Sequence, residues 1–120
     1  MAVRAVRGAV QVEANDRGAI LEGTAELVTE VMSRNELSTD QVISVIFSAT
    51  ADLDAEFPAL AARKLGFQEV PLLCCGEIPV PGAMPRVVRL MMHVETDVPR
   101  AEVRHVYLRG AAALRLDIAQ

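Results

Sequence analysis

RVVRLMMHV, residues 86–94, reads as a strand with both faces occupied, and that reading sets the fold. Val87, Val88, Leu90, Met91, Met92 and Val94 all ask for burial, while strand side chains alternate between faces. Arg89 interrupts the run on the face it shares with Val87 and Met91. A guanidinium stays charged and is costly to bury without an anion. Either an internal carboxylate such as Glu77 meets it, or its face is open to solvent, or a ligand does.

Working outward, IPVPGAMP (78–85) has three prolines and one glycine and must be a loop or tight turn. Before it, VPLLCCGEI (70–78) is a third strand. QVISVIFSAT (41–50) is a nearly continuous β-branched run, the pattern of a strand covered on both faces. VRAVRGAVQV (3–12) is the first strand. Asn15 and Asp16 supply capping side chains for a helix through about Arg34, with Ile20, Leu21, Leu27, Val28, Val31 and Met32 on one face. In FPALAARKLGF (57–67), Pro58 fits a first helical position and Gly66 a C-terminal cap, giving about two turns. ETDVPRAE turns the chain into a fifth strand, VRHVYLRG (103–110), and AAALRLDIAQ is an irregular or one-turn tail. The order β-α-β-α-β-β-β predicts a single domain over 1–120, α/β or α+β, with a mixed five-stranded sheet. One long helix covers one face of such a sheet, so the other face calls for a second copy of the chain.

Composition narrows the function. At 120 residues and 52% hydrophobic the chain fills one core, and with 3% aromatic residues it fills it with Val, Leu, Ala, Met and Ile. A net charge of −4 provides no broad footprint for nucleic acid, and four scattered aromatics offer no platform for stacking bases. Apolar runs are too short for a membrane span. Arg4 and Arg7 break up the N-terminal segment, which therefore lacks a signal-peptide core. Cys74 and Cys75 are adjacent and have no other partner, so neither a disulfide framework nor a zinc site is expected. Together these features predict a cytoplasmic protein.

Familiar catalytic motifs are absent. There is no phosphate-binding glycine loop and no Gly-x-Ser-x-Gly elbow. His93 and His105 lie on predicted strands without metal-ligand spacing. What stands out instead is a set of polar residues planted in apolar strands: Arg7, Glu77, Arg89 and Tyr107, with Arg115 in the tail. Strand alternation allows them to share one enclosed space, a polar pocket for a small, multiply anionic ligand.

VRAVRGAVQVE, SATADLDAEFPA, RVVRLMMHVETDVP and RHVYLRGAAALR, taken in order, resemble the monofunctional chorismate mutases of the trimeric, barrel-like class. The resemblance runs from the first strand to Arg115. It implies a mixed five-stranded sheet packed on one long helix, with three chains forming a pseudo α/β-barrel core and active sites between adjacent subunits. The implied enzyme is an isomerase of the shikimate pathway, converting chorismate to prephenate in aromatic amino acid biosynthesis without metal or cofactor. By position, Arg89 resembles the arginine that bonds the breaking ether oxygen. Arg7 resembles the one that holds a substrate carboxylate and also approaches that oxygen. Glu77 would accept from the substrate hydroxyl, with Cys74 beside it and backbone groups at Leu72 and Leu73 in reach. Tyr107 would contact a carboxylate. The neighbouring chain would bring Phe57 and Ala59 as a wall and Arg63 at the mouth, while Leu114 and Arg115 belong to a covering tail. Leu60 stands where the family has lysine, Leu73 where it has a polar residue, and Ile78 where methionine is familiar. Two other readings stay open: a non-catalytic trimeric protein that binds small carboxylates or regulates, and an imine-hydrolysing deaminase on a similar trimeric scaffold.

Overall fold

The apolar runs of the sequence become strands of one sheet, and the two helical segments lie together on one side of it. The structure is a computed structural model that describes residues 1–114. Its elements are β1 (Ala2–Gln11), α1 (Arg17–Arg34), β2 (Val42–Ala49), α2 (Ala59–Lys64), β3 (Leu72–Gly76), β4 (Val87–Thr96) and β5 (Val106–Leu108). The strand order is β3-β2-β4-β1-β5. Central β4 runs antiparallel to both β1 and β2, while edge strands β3 and β5 run parallel to β2 and β1. The sheet is therefore mixed, as expected, and α2 makes the crossover that the parallel pair β2–β3 requires.

Local chemistry explains the helices. Asp16 Oδ1 accepts the Ala19 backbone N–H at 2.7 Å and caps α1. The buried stripe Ile20, Leu27, Val28 and Val31 then packs on Val6, Val10, Val88 and Met92. Two glycines set how closely helix and sheet approach. A Cβ at Gly8 would stand 3.0 Å from Leu27 Cδ1, and one at Gly23 would stand 2.6 Å from Val12 Cγ1. Pro58 enters α2 already in helical conformation, and Gly66, at φ +101°, ends the segment.

Four places differ from the sequence reading, the first being the third strand, which shrinks from 70–78 to Leu72–Gly76. Asn15 does not cap α1; its side chain reaches instead to the loop after β2. The fifth strand shrinks from 103–110 to Val106–Leu108: the Asn35 side chain takes the Arg104 N–H and C=O before it, and Arg109, at φ +55°, turns the chain into a 3₁₀ segment, Arg109–Ala113, after it. The fourth strand runs on to Thr96, and Arg86, at φ +56°, stays outside it with its N–H on Asp52.

The second face of the sheet is only partly covered. Ala9, Val87, Tyr107 and Ala111 form a small second core there, with Met84 and Leu114 packed against it. Beyond that core, Ile46 is 39% exposed and Leu73 58%. Among the described residues no helix is long and apolar enough to cross a membrane.

Candidate active site

One row of backbone pairing crosses all five strands. Cys75 pairs with Ser48, Ser48 with Arg89, Arg89 with Ala9, and Ala9 with Tyr107. Paired residues project on the same face, and Arg7, two residues from Ala9, joins them there. Arg7, Ser48, Arg89 and Tyr107 line a cavity of ≈ 240 Å³, with Ile46 and Met91 as its apolar lining.

Glu77 reaches this row from just beyond β3. Its backbone N–H donates to Ala49 O at 3.0 Å, which turns the side chain back over the sheet. Arg89 Nε donates to Glu77 Oε1 at 3.2 Å and Oε2 at 3.0 Å. The Ser48 hydroxyl donates to Oε2 at 2.7 Å. The pair is half-shielded, the Arg89 side chain 40% exposed and that of Glu77 16%. Glu77 therefore answers part of what Arg89 requires. Among the described residues, neither Nη of Arg89 has a hydrogen-bond partner, and the Arg7 guanidinium and Tyr107 hydroxyl have none. Two guanidiniums against one carboxylate give this part of the sheet face a net positive charge, with N–H donors unpaired among the described residues.

The other residues singled out from sequence are dispersed over the fold. Leu72 and Cys74 lean to the helix side and pack on the main core, while Leu73 faces the open side. Ala59 is 4% exposed and belongs to that same core, because the α2 face carrying Ala59, Ala61 and Ala62 is the buried one. Phe57 is 69% exposed and Arg63 is exposed on α2, both away from the Arg89 cavity of their own chain. Leu114 lies against the second core, and Arg115 falls outside the described residues.

Phe57 is nonetheless held firmly. Asn15 Oδ1 accepts the N–H groups of Asp54 and Ala55, and its Nδ2 donates to Asp54 Oδ1. Glu56 accepts the Phe57 N–H and the Arg17 Nε–H, each at 2.9 Å. The Phe57 N–H first, and Arg17 with it, hold the Glu56 carboxyl below its ordinary value. Phe57, Cys74 and Cys75 line a second depression of ≈ 390 Å³ that shares Ser48 with the first.

Ser48 escaped the sequence reading. Within QVISVIFSAT it passes for one polar interruption in a buried run, yet Ser44, Ile46 and Ser48 share a face by alternation. Two serines on one face of a β-branched run were the available signal.

A mixed sheet with helices on one side, and on the other a cavity lined by Arg7, Arg89 and Tyr107 with Glu77 against Arg89, defines an α+β protein with a cationic pocket on its open face. A family model for chorismate mutase type I matches residues 3–118. The chain is 46% identical over 117 residues to "Chorismate mutase AroH" of Thermus thermophilus, covering 97% of this chain and 96% of that one. It is 41% identical over 120 residues to "Chorismate mutase AroH" of Bacillus subtilis, covering 99% and 94%. Among solved structures, "Chorismate mutase from Clostridium thermocellum" superposes with a TM-score of 0.90 at 45% identity, covering 91% of this chain and 97% of that one. The chain belongs to the chorismate mutase type I family.

Proposed function

We propose that this protein is a chorismate mutase, an isomerase that converts chorismate to prephenate by a Claisen rearrangement on the route to phenylalanine and tyrosine. The observation that carries the reading is the open Nη edge of Arg89 beside Arg7 in one cavity. The reaction needs no general base and no covalent intermediate. It needs the substrate folded so that its enolpyruvyl carbon approaches the ring, and it needs stabilisation of the negative charge that gathers on the ether oxygen as its bond lengthens.

The roles divide accordingly. Arg89 meets the ether oxygen through its Nη groups. Arg7 and Tyr107 hold carboxylate, Arg7 also leaning toward that oxygen, and Glu77 accepts from the substrate hydroxyl. A rate gain of ~10⁶ requires about 8 kcal/mol off the barrier. One aimed donor supplies roughly 3–4 kcal/mol, and the balance comes from holding the reactive conformer.

The site is completed by a second copy in a homotrimer. At ≈ 240 Å³ the cavity is smaller than the roughly 300–1,000 Å³ of ordinary small-molecule sites. Ile46 and Leu73 await cover, and Phe57 is braced in an exposed position where its own chain makes no use of it. These features support a shared site in which a neighbour contributes Phe57 and Arg63.

The test is direct. Chorismate added to purified protein loses its ultraviolet absorbance, and acid treatment of the product yields phenylpyruvate. A folded, assembled protein that leaves chorismate untouched sinks the proposal.

A further inference from the structure

We infer that Ser48 is a positioning residue: its hydroxyl tethers Glu77 to the Nε side of Arg89 and so keeps the Nη edge open for the substrate. The kinetic consequence rests on the reaction proposed above; the tether itself is a matter of geometry.

Left alone, a carboxylate meets a guanidinium in the fork, with two parallel N–H···O bonds, because that arrangement is the strongest. Glu77 does not. Both its oxygens crowd the single Nε, at 3.2 and 3.0 Å, and neither Nη is engaged. A third group accounts for this. Ser48 donates to Oε2 at 2.7 Å from the strand next to Arg89 and from the position directly paired with it. The backbone ladder that fixes Arg89 also fixes Ser48, so the hydroxyl cannot follow a carboxylate that moves away. A swing to the fork would break a charge-assisted bond and leave a half-buried hydroxyl unpaired.

The consequence is catalytic although Ser48 need touch no reacting atom. A carboxylate paired at Nη would satisfy, in the ground state, the donors that developing charge must use. An interaction that favours the ground state works against turnover. Ser48 thus separates the two tasks of one guanidinium, with Nε anchored to protein and Nη reserved for substrate. Arg7 and Tyr107, which would hold carboxylate, stand outside this arrangement, so binding should be affected less than rate.

The experiment compares Ser48→Ala, Ser48→Thr and both combined with Glu77→Gln, in the assembled protein with chorismate as substrate. Ser48→Ala should lower kcat about tenfold while KM moves within about threefold. Ser48→Thr, which keeps the hydroxyl, should restore most of the rate. In the Glu77→Gln background Ser48→Ala should cost little more, since a neutral amide does not compete for Nη as a carboxylate does. An unchanged kcat in Ser48→Ala overturns the inference, as does an undiminished loss in the Glu77→Gln background. A crystal structure of Ser48→Ala supplies a readout free of turnover. Glu77 within hydrogen-bond distance of an Arg89 Nη supports the tether, and Glu77 still on Nε alone overturns it. An inactive parent protein would defeat the chorismate reading while the crystal structure still judges the tether.

Discussion

Replacing Arg89 by citrulline removes its charge and turns one Nη donor into a carbonyl oxygen while keeping its shape, its Nε–H and the other Nη, and so tests the charge with little change of shape. Arg89→Ala is the cruder perturbation, because it would strand Glu77, which is 16% exposed, without its cation. Two unit charges about 4 Å apart attract by about 4 kcal/mol at an effective dielectric near 20. The ether oxygen carries only part of a charge in the transition state, and Glu77 on the Nε side opposes the field. The 40% exposure of Arg89 in a single chain would screen it further, and cover from a neighbour would reverse that screening. The net worth is about 2–3 kcal/mol, equivalent to a fall of about 30- to 150-fold in kcat. KM should change little. Initial rates of chorismate loss, measured on protein shown to be assembled by sedimentation, give the number. A citrulline variant within about threefold of the parent would refute the charge argument.

Mixed assemblies test the shared site. Chains carrying Arg89→Ala, exchanged in equal amounts with chains carrying Arg63→Ala, should recover about a quarter of parental activity, and no recovery after full exchange speaks for sites within one chain. Gly8→Ala places a Cβ 3.0 Å from Leu27 Cδ1 and 3.2 Å from Val106 O, so denaturant melts should show a loss of about 1–3 kcal/mol. The Glu56 carboxyl is held below its ordinary value, first by the Phe57 N–H. Its contribution is therefore complete above the ordinary carboxylate range and is lost as pH falls through the lowered folded value. The melting-temperature gap between the parent and Glu56→Gln should close on acidification, and a gap that widens contradicts the assignment.

Much of this architecture was legible from the chain because its signals are local. Apolar runs, Pro58, Gly66 and Asp16 mark elements through backbone preferences that do not depend on distant residues. Alternation likewise allowed Arg7, Arg89 and Tyr107 to share a face, and the pairing of β1 with β4 and β5 supplies it. What escaped depends on pairing between strands. Ser48 matters because it sits opposite Arg89, and that register is set by β2–β4 pairing rather than by its own neighbours. The burial of Ala59, Ala61 and Ala62 depends likewise on how α2 docks on the core, which its own sequence does not announce. Asn15 and Asp16 are both good cap residues, and a loop some 40 positions away claims one of them. The last strand is cut short at its end by the backbone of Arg109, whose φ of +55° no residue-type pattern announced, and at its start by Asn35, which takes up the Arg104 backbone.

The pairing of β2 with β4 slips by one residue at Ile43, and this has a consequence for how the gene can change. Val42 pairs with Val94 and Ser44 with His93, so Ile43 is one residue more than the ladder needs. Losing that codon would leave Val42, Ser44 and the rest of β2 opposite the partners they already have. Losing any codon from 45 to 48 would shift the parity between the lost position and the bulge. The expected outcome is a folded, active protein without Ile43 and a defective one without Ile46, measurable by thermal melts and turnover. A strand that carries a spare position absorbs a length change in one place and forbids it a few codons further on.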